Sequence, residues 1–200
     1  MRRARLIGLT GGIACGKSAV SARLSARGAV IIDADEVSRA VVAPKSEGLA
    51  AITARFSEGV LREDGTLNRA ALSALIFSDP SARAALEGIT HPLIATESAR
   101  RIQEALKGPA PLIVYDAALL IESGRADQFR PLVVVWAPPE LQRARLMARD
   151  GLSAAQAEAR LRAQLSPDRK REVADHVVVN DGDLASLDRA VARLWEGLVG

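Results

Sequence analysis

The chain has 200 residues, of which 48% are hydrophobic and one is cysteine, and its formal net charge is +3. That length suits one domain with a full core, and a lone cysteine excludes an internal disulfide. No apolar run approaches the ~20 residues that cross a bilayer. With no basic block and few aromatics, nucleic acid is not a favoured partner, whereas a slight positive excess suits small polyanions such as nucleotides.

In chain order, the basic start Met1-Arg2-Arg3 runs through a short apolar segment straight into a glycine-rich stretch. It lacks the longer apolar core of a secretory leader, so a cytoplasmic protein with no membrane segment is expected. Residues 5–9 read as a strand. Gly11-Gly12-Ile13-Ala14-Cys15-Gly16-Lys17-Ser18 then matches G-x-x-x-x-G-K-[ST], and a helix-prone run follows from 18 to 27. Strand, loop and helix in that order make the pattern a physical site. Glycines let successive N–H groups turn inward onto a phosphate, and the helix N-terminus adds partial positive charge. Lys17 is expected to reach the β- and γ-phosphates of ATP, and the Ser18 hydroxyl to hold Mg²⁺. The chain has only four lysines, Lys17, Lys45, Lys107 and Lys170, so one inside this loop stands out from the background.

Residues 30–32 form a second apolar run, closed by Asp33 and followed by Asp35. Ligands of open α/β sheets bind outside the carboxyl ends of the strands. Asp33 is therefore read as a carboxylate that accepts the proton of an attacking hydroxyl, and Asp35 as the cap of the next helix; helix capping is the alternative for both. From 46 to 107 only helical signals occur: 46–56, then 69–77 capped by Asn68, a helix opening at Pro80-Ser81, and a long one starting at Pro92. His91, just before that proline, reads as a cap or packing residue.

Residues 112–115 form the third strand and end in Asp116, the position of a second Mg²⁺ anchor. Glu122 follows, facing either the same cleft or the surface. Residues 132–136 make a fourth strand. From 139 to 173 comes a helical hairpin, with a capping box at Ser153 and Gln156 and another start at Ser166-Pro167. Such a hairpin is expected to sit over a nucleotide as a lid. It carries Arg143, Arg145 and Arg149. Arg145 and Arg149 share one helix face and offer either positive charge to a transferring phosphoryl group or a solvated basic surface. Residues 176–179 form a fifth strand; Asn180-Asp181-Gly182 after it reads most simply as a turn, with adenine contact by Asn180 as the alternative, since that strand end lies near where a base would rest. The strands are short, continuous apolar runs, as in a parallel sheet buried on both faces.

These readings give an α/β phosphate-loop fold of three layers with a five-stranded parallel sheet. The core spans about 1–45, 108–138 and 174–200, a helical substrate-binding insertion about 46–107, and a helical lid about 139–173.

The segments LTGGIACGKS, IIDAD, THPLI, DAALLIE, RLMARDGLS and ADHVVVNDG, in that order and across essentially the whole chain, resemble the dephospho-coenzyme A kinase family. The resemblance implies transfer of the ATP γ-phosphate to the ribose 3′-hydroxyl of dephospho-coenzyme A, with ATP and Mg²⁺ as cofactors. A monomer is expected, with an oligomer as the alternative. It places Gly12 to Ser18 on the ATP phosphates, Asp33 at the general base, Arg145 and Arg149 among the lid arginines, and Asp35 and His91 near the acceptor. Three positions depart from the family pattern. Ala14 and Cys15 stand where glycine and serine are usual, and Ala118 where proline is usual. Ala14 therefore requires a backbone that avoids positive φ or accepts strain. Cys15, among backbone amides and Lys17, is expected to have a lowered pKa and to be reactive. Rival readings are a kinase of the same architecture for another small acceptor, a GTP switch, and a nucleotide-binding module that transfers nothing. The chain has no Asn-Lys-x-Asp guanine motif, and pure binding needs neither Asp33 nor the arginines.

Overall fold

Each of the five apolar runs forms a strand of a single sheet. The computed structural model describes residues 4–200; Met1-Arg2-Arg3 lie outside the described residues. The strands are β1 (Arg5–Gly11), β2 (Val30–Asp33), β3 (Leu112–Asp116), β4 (Leu132–Trp136) and β5 (His176–Val179), and the sheet is five-stranded and parallel. Their order is β2-β3-β1-β4-β5, so β1 lies in the middle. Leu9 of β1 stands opposite Asp116 of β3, and Gly11 opposite Val135 of β4. That register sets the phosphate-loop sequence, which starts at Gly11, beside the acidic end of β3.

Nine α-helices are found among the described residues: α1 (Lys17–Ala26), α2 (Ala34–Ala40), α3 (Glu47–Phe56), α4 (Arg69–Ser78), α5 (Pro80–Lys107), α6 (Pro139–Asp150), α7 (Ala154–Arg162), α8 (Pro167–Glu172) and α9 (Leu184–Val199). Contacts divide the chain into two units. One holds the residues up to Ile32 together with Ala105–Gly200; the other is Asp33–Glu104.

In the first unit, Ile7, Leu9, Val114, Val133 and Val135 of the sheet close on Val20 and Leu24 of α1 and on Leu187, Val191 and Leu198 of α9. All five residues of β3 are buried, which is why that strand reads as an unbroken apolar run rather than an alternating one. Burying each such aliphatic side chain is worth about 1.5–3 kcal/mol, so this core fixes the sheet edge from which the loops project. The α6–α8 hairpin forms as expected. Ser153 accepts from the Gln156 amide while Gln156 accepts from the Ser153 amide, a complete capping box, and Ser166 caps α8.

The second unit is helical around Val42, Leu49, Ile52, Val60, Leu67 and Leu72. Ser46 caps α3 and Asn68 caps α4 through their side-chain oxygens, 3.1 Å from the amides of Leu49 and Ala71. A helix opens at Pro80 as expected, but the expected start at Pro92 is corrected: α5 runs unbroken for 28 residues with Pro92 inside it. A proline costs a helix one N–H bond and crowds the carbonyl four residues earlier.

Candidate phosphate-binding active site

The glycine-rich loop folds as a tight curl between β1 and α1. Gly16 caps α1 with φ 91°, a left-handed conformation. A Cβ there would lie 2.1 Å from Asn180 Nδ2, so glycine is required on both backbone and steric grounds. Ala14 takes φ 58°. It therefore accepts the strain rather than avoiding it, at a cost of about 1–2 kcal/mol, and strain of this kind gathers at functional loops.

Two side-chain amides bond the curl from outside, and a third packs against it. Asn180 Nδ2 donates to the Cys15 carbonyl at 2.8 Å. The Ile13 amide donates to Gln164 Oε1 at 2.9 Å. Gln142, buried and donating to the Ala137 carbonyl at 2.7 Å, turns its Oε1 toward Gly12, where a Cβ would come within 2.7 Å of it. Asn180 is itself fixed: its amide donates to the Trp136 carbonyl at 2.8 Å, and its carbonyl accepts from Arg145 Nη1 at 3.1 Å. The carboxamide of Asn180, the residue read as standing near an adenine, supports the loop.

Lys17 Nζ forms an ion pair with Asp116 Oδ1. Asp116, which ends β3, is buried. No acidic residue lies in the first turn of α1, so the positive pole of that helix is not offset locally. Ser18, next to Lys17, is exposed. A hydroxyl and a carboxylate are hard oxygen donors, and Mg²⁺ binds through one or two such protein groups plus phosphate oxygens. The donor set of Ser18 and Asp116 therefore fits the ion. An ammonium carries three donors, so its bond to Asp116 leaves Lys17 capacity for phosphate oxygens.

The remaining expectations fare unevenly. Asp33, not Asp35, caps α2: its Oδ1 accepts from the amides of Asp35 at 2.7 Å and Glu36 at 3.2 Å. Asp35 lies exposed in the first turn of that helix. His91 is not a cap, since it sits exposed inside α5. Arg145 and Arg149 do lie one turn apart on α6; Arg145 is tied to Asn180, while Arg149 pairs with Asp150 at 2.7 Å. Arg143 is exposed. Glu122 pairs with Lys170 at 2.7 Å. The reactivity expected of Cys15 is overturned: the residue is fully buried, and desolvation raises its thiol pKa despite the opposing bond and charge of Lys17.

Sequence reading missed Gln142, Gln164 and Lys170. One signal did point to Lys170: the scarcity of lysine that singled out Lys17 applies to it equally. The glutamines gave none, because their value comes from contacts with residues far along the chain.

A phosphate-binding loop at the end of a central parallel strand, a lysine on an acidic neighbouring strand end, and a helical hairpin bonded to the loop define a phosphate-loop kinase. The sequence profile of the dephospho-CoA kinase family matches residues 5–186. A dephospho-CoA kinase of Anaeromyxobacter dehalogenans is 48% identical over 196 residues, covering 98% of this chain and 93% of that protein. Among solved structures, TT1252 from Thermus thermophilus superposes with a TM-score of 0.84 at 34% identity, over the whole of both chains. Dephospho-CoA kinase from Campylobacter jejuni does so with 0.74 at 27% identity, over 96% of each. The chain belongs to the dephospho-CoA kinase family, and it is a kinase of the final step of coenzyme A biosynthesis.

Proposed function

We propose that the chain transfers the γ-phosphate of ATP to the ribose 3′-hydroxyl of dephospho-coenzyme A through the residues that the loop and its neighbours supply. The amides of Gly11 to Ser18 bind the ATP phosphates, helped by the N-terminus of α1. Lys17 bridges toward the β- and γ-phosphates. Ser18 and Asp116 hold Mg²⁺, which when bound neutralises charge on the phosphates. Asp33 accepts the proton of the 3′-hydroxyl. Its Oδ1 is fixed by two amides of α2, which orients the carboxylate. Arg145 and Arg149 supply positive charge from the lid to the transferring group, and Asp35 and His91 contact the acceptor. The protein works as a cytoplasmic monomer; no helix among the described residues is long and apolar enough to cross a membrane.

The observation that carries this reading is the loop itself: a curl with a left-handed Gly16 and a strained Ala14 at the start of α1, bonded by the carboxamides of Asn180 and Gln164 and packed by that of Gln142. Strain maintained by so many contacts points to a bound anion as the loop's purpose. The test is coupled ADP release with Mg²⁺-ATP and a panel of acceptors: dephospho-coenzyme A, shikimate, gluconate and nucleoside monophosphates. ADP release with dephospho-coenzyme A, and a product carrying one added phosphoryl group at the 3′ position, is the expected result. Turnover of another acceptor in preference to it would refute the assignment.

A further inference from the structure

The Lys170 side chain is fully buried in the same unit as the phosphate loop, outside the residues assigned to ATP or acceptor. A charged side chain is almost never so buried unless it is paired. Lys170 Nζ donates to Glu122 Oε1 at 2.7 Å and to the Ala118 carbonyl at 3.3 Å. Both acceptors belong to the 117–122 loop, which directly follows Asp116, the partner of Lys17. Each is also shared. The Ala118 carbonyl accepts from Thr10 Oγ1 at 3.1 Å, and Thr10 immediately precedes the phosphate loop. Glu122 Oε1 accepts from the Leu165 amide at 3.3 Å, and the neighbouring Gln164 is the residue that holds the Ile13 amide.

These contacts close a circuit. From the phosphate loop it passes through Gln164 and Leu165 to Glu122, along the 117–122 loop to Ala118, and back through Thr10 to the phosphate loop. Lys170 is the group that joins the Glu122 and Ala118 corners. Its helix, α8, is moored to the end of β4: Trp136 Nε1 donates to Asp168 at 3.1 Å, and the Arg171 guanidinium lies 5.4 Å from the Trp136 ring centroid. The lysine therefore acts from a fixed base. Glu122 depends on it, because its other oxygen, Oε2, is buried with no hydrogen-bond partner among the described residues. A buried carboxylate that loses its partner is strongly disfavoured.

We infer that Lys170 is a positioning residue for phosphoryl transfer: through Glu122 and the Ala118 carbonyl it holds the 117–122 loop and the 164–165 turn in place around Lys17, Asp116 and the phosphate loop. It touches neither nucleotide nor acceptor. Its removal lets two walls of the site drift, and displacement of about 1 Å in a reacting constellation costs on the order of a hundredfold in rate.

The test compares wild type, Lys170→Met, Lys170→Arg, Glu122→Gln and the double variant Lys170→Met/Glu122→Gln, each well below its own unfolding midpoint. Turnover with ATP and dephospho-coenzyme A is read beside hydrogen exchange of peptides covering 117–122 and 164–165. Exchange keeps the inference testable apart from the assigned reaction: wild type inactive on dephospho-coenzyme A would count against the reaction, while exchange still decides the positioning. For Lys170→Met the expected result is faster exchange in both segments and kcat lowered about ten- to a hundredfold, with KM for ATP changed less than about threefold. Lys170→Arg recovers part of that loss, and the double variant is no worse than either single change. A folded Lys170→Met with kcat within about twofold of wild type, or with unchanged exchange, overturns the inference. So does failure of both single variants to fold, which would make the pair a structural necessity only.

Discussion

Substituting Gly16 by alanine tests the loop geometry most severely. Alanine at φ 91° costs about 1–2 kcal/mol in backbone strain. Its Cβ would also stand 2.1 Å from Asn180 Nδ2, which is buried and committed to the Cys15 carbonyl at 2.8 Å. Something must move, and the movable group is the Asn180 side chain. Breaking its bond leaves a buried polar pair unsatisfied, worth about 1–3 kcal/mol. Gly16→Ala is therefore expected to destabilise the protein by about 2–4 kcal/mol, since alanine recovers some unfolded-state entropy. In an Asn180→Ala background the steric conflict is gone, and the same substitution should cost only the strain, about 1–2 kcal/mol. Urea unfolding of the four proteins in this cycle gives the coupling directly. Additivity within about 0.5 kcal/mol would show that Asn180 does not restrict the loop and would refute the reasoning.

Other consequences follow from the same geometry. Asn caps a helix as well as Asp does, so Asp33→Asn should leave stability within about 0.5 kcal/mol of wild type while lowering turnover about 10²- to 10⁴-fold; an equal loss in both would mean that the residue only caps α2. Because burial raises the Cys15 pKa, iodoacetamide at neutral pH should modify native protein about a hundredfold more slowly than urea-unfolded protein; comparable rates would contradict the burial. Glu97 is held at about 2 by hydrogen bonds from Arg100 and Arg101. A depressed carboxylate stabilises above its unfolded value of about 4.3, and that contribution is lost as the pH falls through about 2. Solvent screening keeps it under about 1 kcal/mol. The stability difference between wild type and Glu97→Gln should thus be present at pH 6 and absent at pH 2, and a difference that persists in acid would rule out this pair as its source.

The central strands β1, β3 and β4 were legible because burial on both faces writes them as nearly unbroken apolar runs, the partly buried edge strands β2 and β5 because their runs are apolar all the same, and the phosphate loop because its spacing is a direct record of its backbone. Caps such as Asn68 and Ser153 were legible for the same local reason. Pro92 misled because proline is favoured at a helix start, whereas here the helix continues through it for the length of α5. Asp33 and Asp35 are two residues apart, and sequence could not tell which one turned back to cap α2. Gln164, Lys170 and Asn180 lie 151, 52 and 165 residues from the groups they hold, and no local pattern encodes such pairings. Cys15 followed the motif into the loop, but the packing of its side chain under β1 and β4 decides its chemistry. A Cβ on Gly11 would come within 2.5 Å of Cys15 Sγ and 2.7 Å of the Val135 carbonyl, which shows how closely that space is filled.

The most direct trial of the whole account is ADP release by purified wild type and Lys17→Ala with Mg²⁺-ATP and dephospho-coenzyme A. Loss of one preorganised charge contact of this kind is worth about 3 kcal/mol or more in the transition state, a fall of at least about a hundredfold. Wild-type turnover that depends on the acceptor, with that fall in the variant, is the predicted result. A folded Lys17→Ala protein that releases ADP as fast as wild type would place the chemistry somewhere other than this loop.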